Sequence, residues 1–301
     1  MDLAPIVLFV YNRPWHTQQT VESLKKNMFA GDSDLIIYSD EAQNSSLKPA
    51  VNEVRKFIKT IDGFKSIEII ERNENLGLAK SVITGITEVI NKYEKIIVLE
   101  DDLLTTADFL SFMNKALIYY KNMEQIFSIS GYNFPMEKPK EYKYDVFCSY
   151  RFISWGWGTW SHSWNKADWT LNNFNHFLNN KKLQLTFNKG GDDLSDMLIS
   201  QFHGRIDSWA IVWLYTHFQH NVYSVCPTQS KVFNIGFDGT GIHCDSEKRP
   251  QANLQTKFNH DYSFMENVFL DNYFITKIKN YHKYSYKRKI YNVFKNIIER
   301  N

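Results

Sequence analysis

Ile96-Ile97-Val98-Leu99-Glu100-Asp101-Asp102 decides how this chain is read: four apolar residues run straight into three carboxylates. An unbroken aliphatic run is the mark of a strand buried on both faces, as in a parallel sheet covered by helices. Three adjoining acids cannot follow it into the core unless a cation or water compensates their charge. A buried strand therefore ends at Leu99, and a polar site begins. Working outward, the same arrangement recurs. Residues 5–10 form an apolar run that ends in Tyr11-Asn12-Arg13-Pro14, residues 34–38 lead into Ser39-Asp40-Glu41, and residues 66–70 form a third run. Helix-like stretches at 17–26, 50–61 and 77–91 separate the four. Strands alternating with helices predict an α/β chain: a mostly parallel, Rossmann-like central sheet with helices on both faces.

The second half is less regular. Residues 127–130 suggest another strand, 194–218 a mostly helical stretch, 222–235 a strand pair, and 236–241 a Gly-rich loop. Five of the eight tryptophans fall between Trp155 and Trp169. With no internal repeat and no low-complexity linker, the simplest division is one domain over residues 1–260 and a helical basic tail over 261–301.

Composition narrows the class. Hydrophobic content of 43% and charged content of 23% are those of an ordinary globular protein, whereas 16% aromatic residues is high. Aromatic faces stack on sugar rings and on bases, or simply fill a bulky core. Three cysteines are too few and too scattered for a disulfide framework or a zinc site, which fits a reducing, cytoplasmic setting. The run 6–10 has strand length and no basic leader or cleavage site, and no segment reaches the ~20 apolar residues of a membrane span. The net charge of +2 hides an asymmetry: residues 277–300 carry eight Lys/Arg against one Glu, so the rest of the chain is at −5. An acidic body argues against a nucleic-acid track. Ile290, Val293, Phe294, Ile297 and Ile298 make one apolar helical stripe flanked by Lys287, Arg288, Lys289 and Lys295. Such a basic amphipathic helix can lie on the anionic inner face of a membrane, or dock on the protein's own body; both readings stand open.

Ligands of open α/β sheets sit at the carboxyl ends of the strands, where Asn12-Arg13, Ser39-Asp40 and Glu100-Asp101-Asp102 all fall. A Ser-Asp after a strand is often only a turn or cap. The acidic triplet is a stronger signal, since Mg²⁺ and Mn²⁺ take one or two carboxylates together with substrate phosphates.

Together these residues resemble the nucleotide-sugar glycosyltransferases of the GT-A fold, closest in pattern to the N-acetylglucosaminyltransferase I group and its bacterial relatives. The resemblance rests on Val98-Leu99-Glu100-Asp101-Asp102-Leu103 followed by Ala107-Asp108-Phe109, and on several further motifs in the same order. It implies a metal ligand at Asp102, a ribose contact at Asp101, and Glu100 beside them. It also implies donor contacts at Asn12 and Arg13, a uracil contact at Asp40, and a nucleotide-bordering segment carrying Asn75, Gly77 and Lys80. Trp157, in Ser154-Trp155-Gly156-Trp157-Gly158, resembles the lining of the donor and acceptor sites. Asp207, in Arg205-Ile206-Asp207-Ser208-Trp209, resembles a Trp-Asp-Asp-Trp motif that carries the catalytic base, although one of the two acids is missing here. His243 is either a further metal ligand or an ordinary loop histidine. The implied reaction is inverting transfer from a nucleotide sugar, a uridine diphosphate sugar in first place, to a glycan or lipid-linked acceptor with Mn²⁺ or Mg²⁺. Two other readings compete. A sugar nucleotidyltransferase would need glycines after the first strand, and Tyr11-Asn12-Arg13-Pro14-Trp15 has none. A non-catalytic carbohydrate-binding protein would leave the acids unexplained.

Overall fold

The computed structural model describes residues 2–239 and 261–283. The first part alternates strands and helices as expected: β1 (Ile6–Val10), α1 (Pro14–Lys25), β2 (Asp34–Ser39), α2 (Lys48–Ile58), β3 (Ser66–Glu71), α3 (Leu78–Tyr93) and β4 (Lys95–Glu100). β1 pairs in parallel with both β2 and β4, and β2 with β3. Ile6, Leu8 and Val10 of β1 pack into one core with Val21 and Leu24 of α1 and Val54 and Ile58 of α2. Val7 and Phe9 point the other way, into a second core with Val82 and Ile86 of α3. Helices on both faces explain why β1 is apolar at every position, each buried aliphatic contributing ~1.5–3 kcal/mol.

The remaining elements are β5 (Leu103–Thr105), α4 (Phe109–Tyr120), β6 (Ile126–Ser130), β7 (Val146–Ser149), β8 (Trp157–Trp160), α5 (Ser161–Trp164), α6 (Phe174–Leu178), α7 (Lys181–Phe187), α8 (Leu194–Phe202), α9 (Trp209–His220), β9 (Tyr223–Pro227), β10 (Val232–Asn234) and α10 (Asn272–Tyr281). The main sheet runs β3-β2-β1-β4-β8-β6-β9-β7. β8 enters antiparallel between β4 and β6, so the sheet is parallel on its β1–β4 side and mixed beyond.

Two expectations are corrected. Residues 222–235 do hold two strands, but they are not a pair: β9 joins the main sheet, while β10 pairs antiparallel with β5 in a separate ribbon. The helix expected over 194–218 is two helices, α8 and α9, with a break at 203–208. Gly204 sits there at φ +66°, a left-handed conformation that ends helices and that glycine adopts without strain. Asp207 lies in that break.

The described part of the C-terminal region packs on the body. Met265 is fully buried, and its amide donates to the Tyr120 hydroxyl at 3.0 Å. Phe274 of α10 stacks on Phe147 with ring centroids 4.2 Å apart. The basic stripe at 290–298 and His243 lie outside the described residues. No described helix is long and apolar enough to cross a membrane.

Candidate active site

Because β1 and β4 are parallel neighbours, the residues that follow them emerge side by side. Arg13 Nη2 donates to Asp101 Oδ1 at 2.5 Å and to Asp102 Oδ2 at 2.9 Å. The Tyr11 amide reaches Asp101 Oδ2 at 3.4 Å, and Thr20 clamps the turn by donating to the Asp101 carbonyl while accepting from the Leu103 amide. Asp101 and Asp102 are buried. Burial, reinforced by repulsion from Asp102 and Asp101, pushes the Glu100 carboxyl up to about 8. Burial also raises Asp101, against the pull of Arg13. For Arg13 itself burial works to lower the pKa, but the two aspartates beside it hold it above its ordinary value. One guanidinium thus serves three acids, and the cluster is short of positive charge. Arg13 Nη1, by contrast, is buried with no hydrogen-bond partner among the described residues.

A segment far along the chain roofs this cluster. The Ile235 amide donates to the Asp102 carbonyl at 2.9 Å, and the Gly236 amide is held by Asn234 Oδ1 at 2.7 Å. A β-carbon on Gly236 would stand 2.1 Å from Asp102 Oδ2 and 3.0 Å from Arg13 Nη1, so any other residue there would have to displace the Asp102 carboxylate or the backbone. Asp238 reaches His16 Nε2 at 3.0 Å, which ties the roof to α1. The Gly-rich character of 236–241 was visible in the sequence; the place of Gly236 over Asp102 was not.

The end of β2 supplies the second part of the site. Asp40 is buried, and its carboxylate accepts from the amides of Leu76 (3.0 and 3.2 Å) and Gly77 (3.0 Å) and from Asn75 Nδ2 (3.3 Å). Asn75 Nδ2 also donates to the Glu41 carbonyl at 2.6 Å. Asp40 therefore anchors the loop that opens α3. Asp207 arrives from the α8–α9 break at the same helix start, where its Oδ2 accepts from the Ala79 amide at 3.4 Å. A carboxylate there meets the positive end of the α3 dipole. Asp207 and Lys80 are exposed, and Asn12 is half-buried.

Trp157 is the residue that does not join the site. Its side chain is fully buried on β8, stacked on Trp209 at 5.3 Å and tilted against Trp164 and Trp213. With no exposed surface it cannot line a donor pocket, and it serves the second core instead. Gly156-Trp157-Gly158 reads as a site because its tryptophan suits a sugar, but here that ring cements β8 to α9.

Among the described residues, no group of three or more His, Cys, Asp and Glu is arranged to hold a metal ion. The donor set instead fits a hard cation held by one carboxylate, Asp102, with the remaining oxygens coming from a diphosphate. The burial of Asp101 and Asp102 against a single guanidinium, Arg13, is the observation that favours it.

Comparison with known proteins identifies a family. Residues 6–192 match the model of glycosyl transferase family 2. No curated protein matches by sequence. Among solved structures, a mannosyltransferase from Pyrobaculum calidifontis, PcManGT in complex with GDP-Man and Mn²⁺, is similar at 13% identity and a TM-score of 0.35, over 57% of this chain and 49% of that one. S. aureus TarS residues 1–349 are similar at 9% identity and a TM-score of 0.42, over 76% of this chain and 59% of that one. This chain therefore spans only about half to six-tenths of either. The family match covers more than half of the sequence and carries the β1–β4 side of the sheet with both strand-end clusters: the chain belongs to glycosyl transferase family 2.

Proposed function

We propose that this chain transfers a sugar from a nucleotide-sugar donor, a uridine diphosphate sugar in first place, to a glycan or lipid-linked acceptor, with inversion and with Mn²⁺ or Mg²⁺. The carrying observation is Arg13, fixed by Asp101 and Asp102 at the carboxyl end of the sheet while its Nη1 is buried with no hydrogen bond to any described residue. A buried guanidinium nitrogen left unsatisfied is costly, and a phosphate oxygen would satisfy it with a charge-assisted bond. The motif likeness to the N-acetylglucosaminyltransferase I group is a narrower reading than the family match, and it supplies the roles that follow.

When bound, the cation offsets the charge that grows on the departing diphosphate. Asp102 would hold it, with His243 a further candidate, while Asp101 takes the donor ribose and Arg13 a phosphate. Asn12 and Lys80 border the diphosphate. Asp40, the uracil contact in that likeness, also holds Asn75 and Gly77 in place by accepting from the Leu76 and Gly77 amides and from Asn75 Nδ2. Asp207 takes the proton of the acceptor hydroxyl as that oxygen attacks the anomeric carbon. A single base and in-line attack give inversion.

The test is nucleotide release from a panel of nucleotide sugars, with and without Mn²⁺, for the wild type and Asp102→Ala. Metal-dependent release in the wild type, lost in a folded Asp102→Ala, is the expected result. Equal release with and without metal in both proteins would remove the cation from the reading, and no release from any nucleotide sugar would remove the transferase reading.

A further inference from the structure

A cavity of about 160 Å³ is lined in part by Ser208, the residue after Asp207, and the assignments above leave it without a ligand. Its walls include Tyr132, Phe134, Trp155 and Tyr281, with the hydroxyl-bearing Ser154 and Ser208 among them. Two connections join it to the site already described. Ser208 directly follows Asp207 in sequence, and the Trp155 ring meets that of Phe237 at 5.5 Å, one residue beyond the Gly236 that rests on Asp102. The cavity thus adjoins the segment of the proposed base through Ser208 and the roof of the donor end through Trp155.

Its lining selects a class of ligand. The Tyr132 and Trp155 rings meet edge to face at 4.4 Å, giving an angled aromatic corner. Such a corner suits the apolar C–H face of a sugar ring, while the serines can meet its hydroxyls. The charged group in the wall is already cancelled: Arg151 donates from both terminal nitrogens to Asp193, at 2.9 and 2.7 Å. His282 Nδ1 stands 3.7 Å from the same carboxylate. Burial works to raise the Asp193 pKa, but Arg151 holds it below the usual carboxylate range, so the pair stays ionised. An anionic ligand would meet no spare positive charge from Arg151, and a cationic one none of the negative charge of Asp193. Tyr281 and His282 come from the end of α10, so the C-terminal region closes the cavity.

We propose that this cavity receives the acceptor, and that the part of the acceptor it holds is an uncharged sugar ring lying against Trp155 and Tyr132. The assignment rests on the transferase reading and gives it a substrate class. An alkyl chain is the competing occupant for an aromatic wall; the two serines and the adjacent carboxylate of Asp207 favour the sugar.

Saturation-transfer NMR on the whole chain tests it, with three sets of probes: neutral pyranoses (glucose, galactose, mannose, N-acetylglucosamine), charged ones (glucuronate, sialate), and a monomeric octyl amphiphile. Neutral pyranoses should bind, and Trp155→Ala should bind them roughly tenfold more weakly, the order of one lost aromatic contact. Ala210→Phe, which fills the cavity without removing a packing residue, should have the same effect and covers the case in which Trp155→Ala does not fold. Preference for charged sugars, binding of the octyl chain alone, absence of any neutral-sugar signal, or undiminished binding in the folded variants would overturn the assignment. Titration of the same samples with uridine diphosphate and Mn²⁺ separates the two levels. Nucleotide binding without sugar binding keeps the transferase and removes the acceptor cavity, whereas sugar binding without nucleotide binding removes the transferase and with it the acceptor role.

Discussion

The backbone of Gly236 rests on the carboxylate of Asp102, close enough that a methyl group there would stand 2.1 Å from Oδ2. Gly236→Ala should therefore lift the roof off the acidic cluster or turn the Asp102 side chain away. Forced overpacking of this kind typically costs ~1–3 kcal/mol, so nucleotide affinity in the presence of Mn²⁺ should fall by about 10- to 100-fold. Isothermal titration of the variant checks this. Unchanged affinity would mean that the roof moves freely and has no part in shaping the donor end.

Asp207 occupies the start of α3 without being enclosed there, which suits a group that must meet an incoming acceptor. Asp207→Asn keeps the shape and the hydrogen bond from Ala79 but removes the basic oxygen. Donor affinity should stay within about twofold of wild type while transfer slows by ~10²-fold, the scale of lost general-base assistance. Transfer at the wild-type rate would leave Asp207 as a helix cap and nothing more.

His217 offers a stability test away from the site. It is buried, with Nδ1 2.9 Å from the Trp213 carbonyl and Nε2 2.9 Å from Ser128 Oγ. Burial lowers its pKa from 6.5 to about 4. Between those values the unfolded chain takes up a proton that the folded chain refuses. The contribution of this histidine is therefore complete above pH 6.5 and is lost as pH falls toward 4, at up to ~1.4 kcal/mol per pH unit. Urea unfolding of the wild type and His217→Gln across that window should show a shallower slope in the variant. Parallel slopes would mean that His217 is not held neutral.

The basic stripe near the C-terminus makes a separate prediction, about location. Each Lys or Arg beside an anionic surface is worth roughly 1 kcal/mol. Removing residues 284–301 should leave nucleotide release intact and abolish sedimentation with phosphatidylserine vesicles, and added salt should weaken vesicle binding of the whole chain. A truncated chain that melts earlier, from a parent indifferent to vesicles, would place the stripe on the body instead.

The parallel half of the sheet was legible because burial on both faces leaves a plain trace, as in the runs of β1, β2 and β4. The acidic triplet was legible for the opposite reason: it stops such a run abruptly. β8 was not legible, since Trp157-Gly158-Thr159-Trp160 has neither an aliphatic run nor alternation, and its aromatics imitate a ligand site. Asp40 stood out in the sequence as a candidate, but its engagement with Leu76 and Gly77 depends on backbone amides, which carry no sequence signature. The roof over Asp102 and the α10 wall of the cavity join segments far apart in the chain, and nothing in the local pattern of either partner announces the meeting.

The antiparallel insertion of β8 also has a consequence for biosynthesis. As the chain leaves the ribosome, β1 to β4 can assemble in order, each strand meeting a partner already made. β4 then has β1 on one side and nothing on the other until residues 157–160 have emerged. During that interval Lys95 to Glu100 is an open sheet edge, the kind of surface that recruits stray strands. Lys95 at its start and Glu100-Asp101-Asp102 at its end place charge at both extremities of that edge. The acids assigned to the donor would then serve the nascent chain first, as guards against mispairing, before any substrate reaches them.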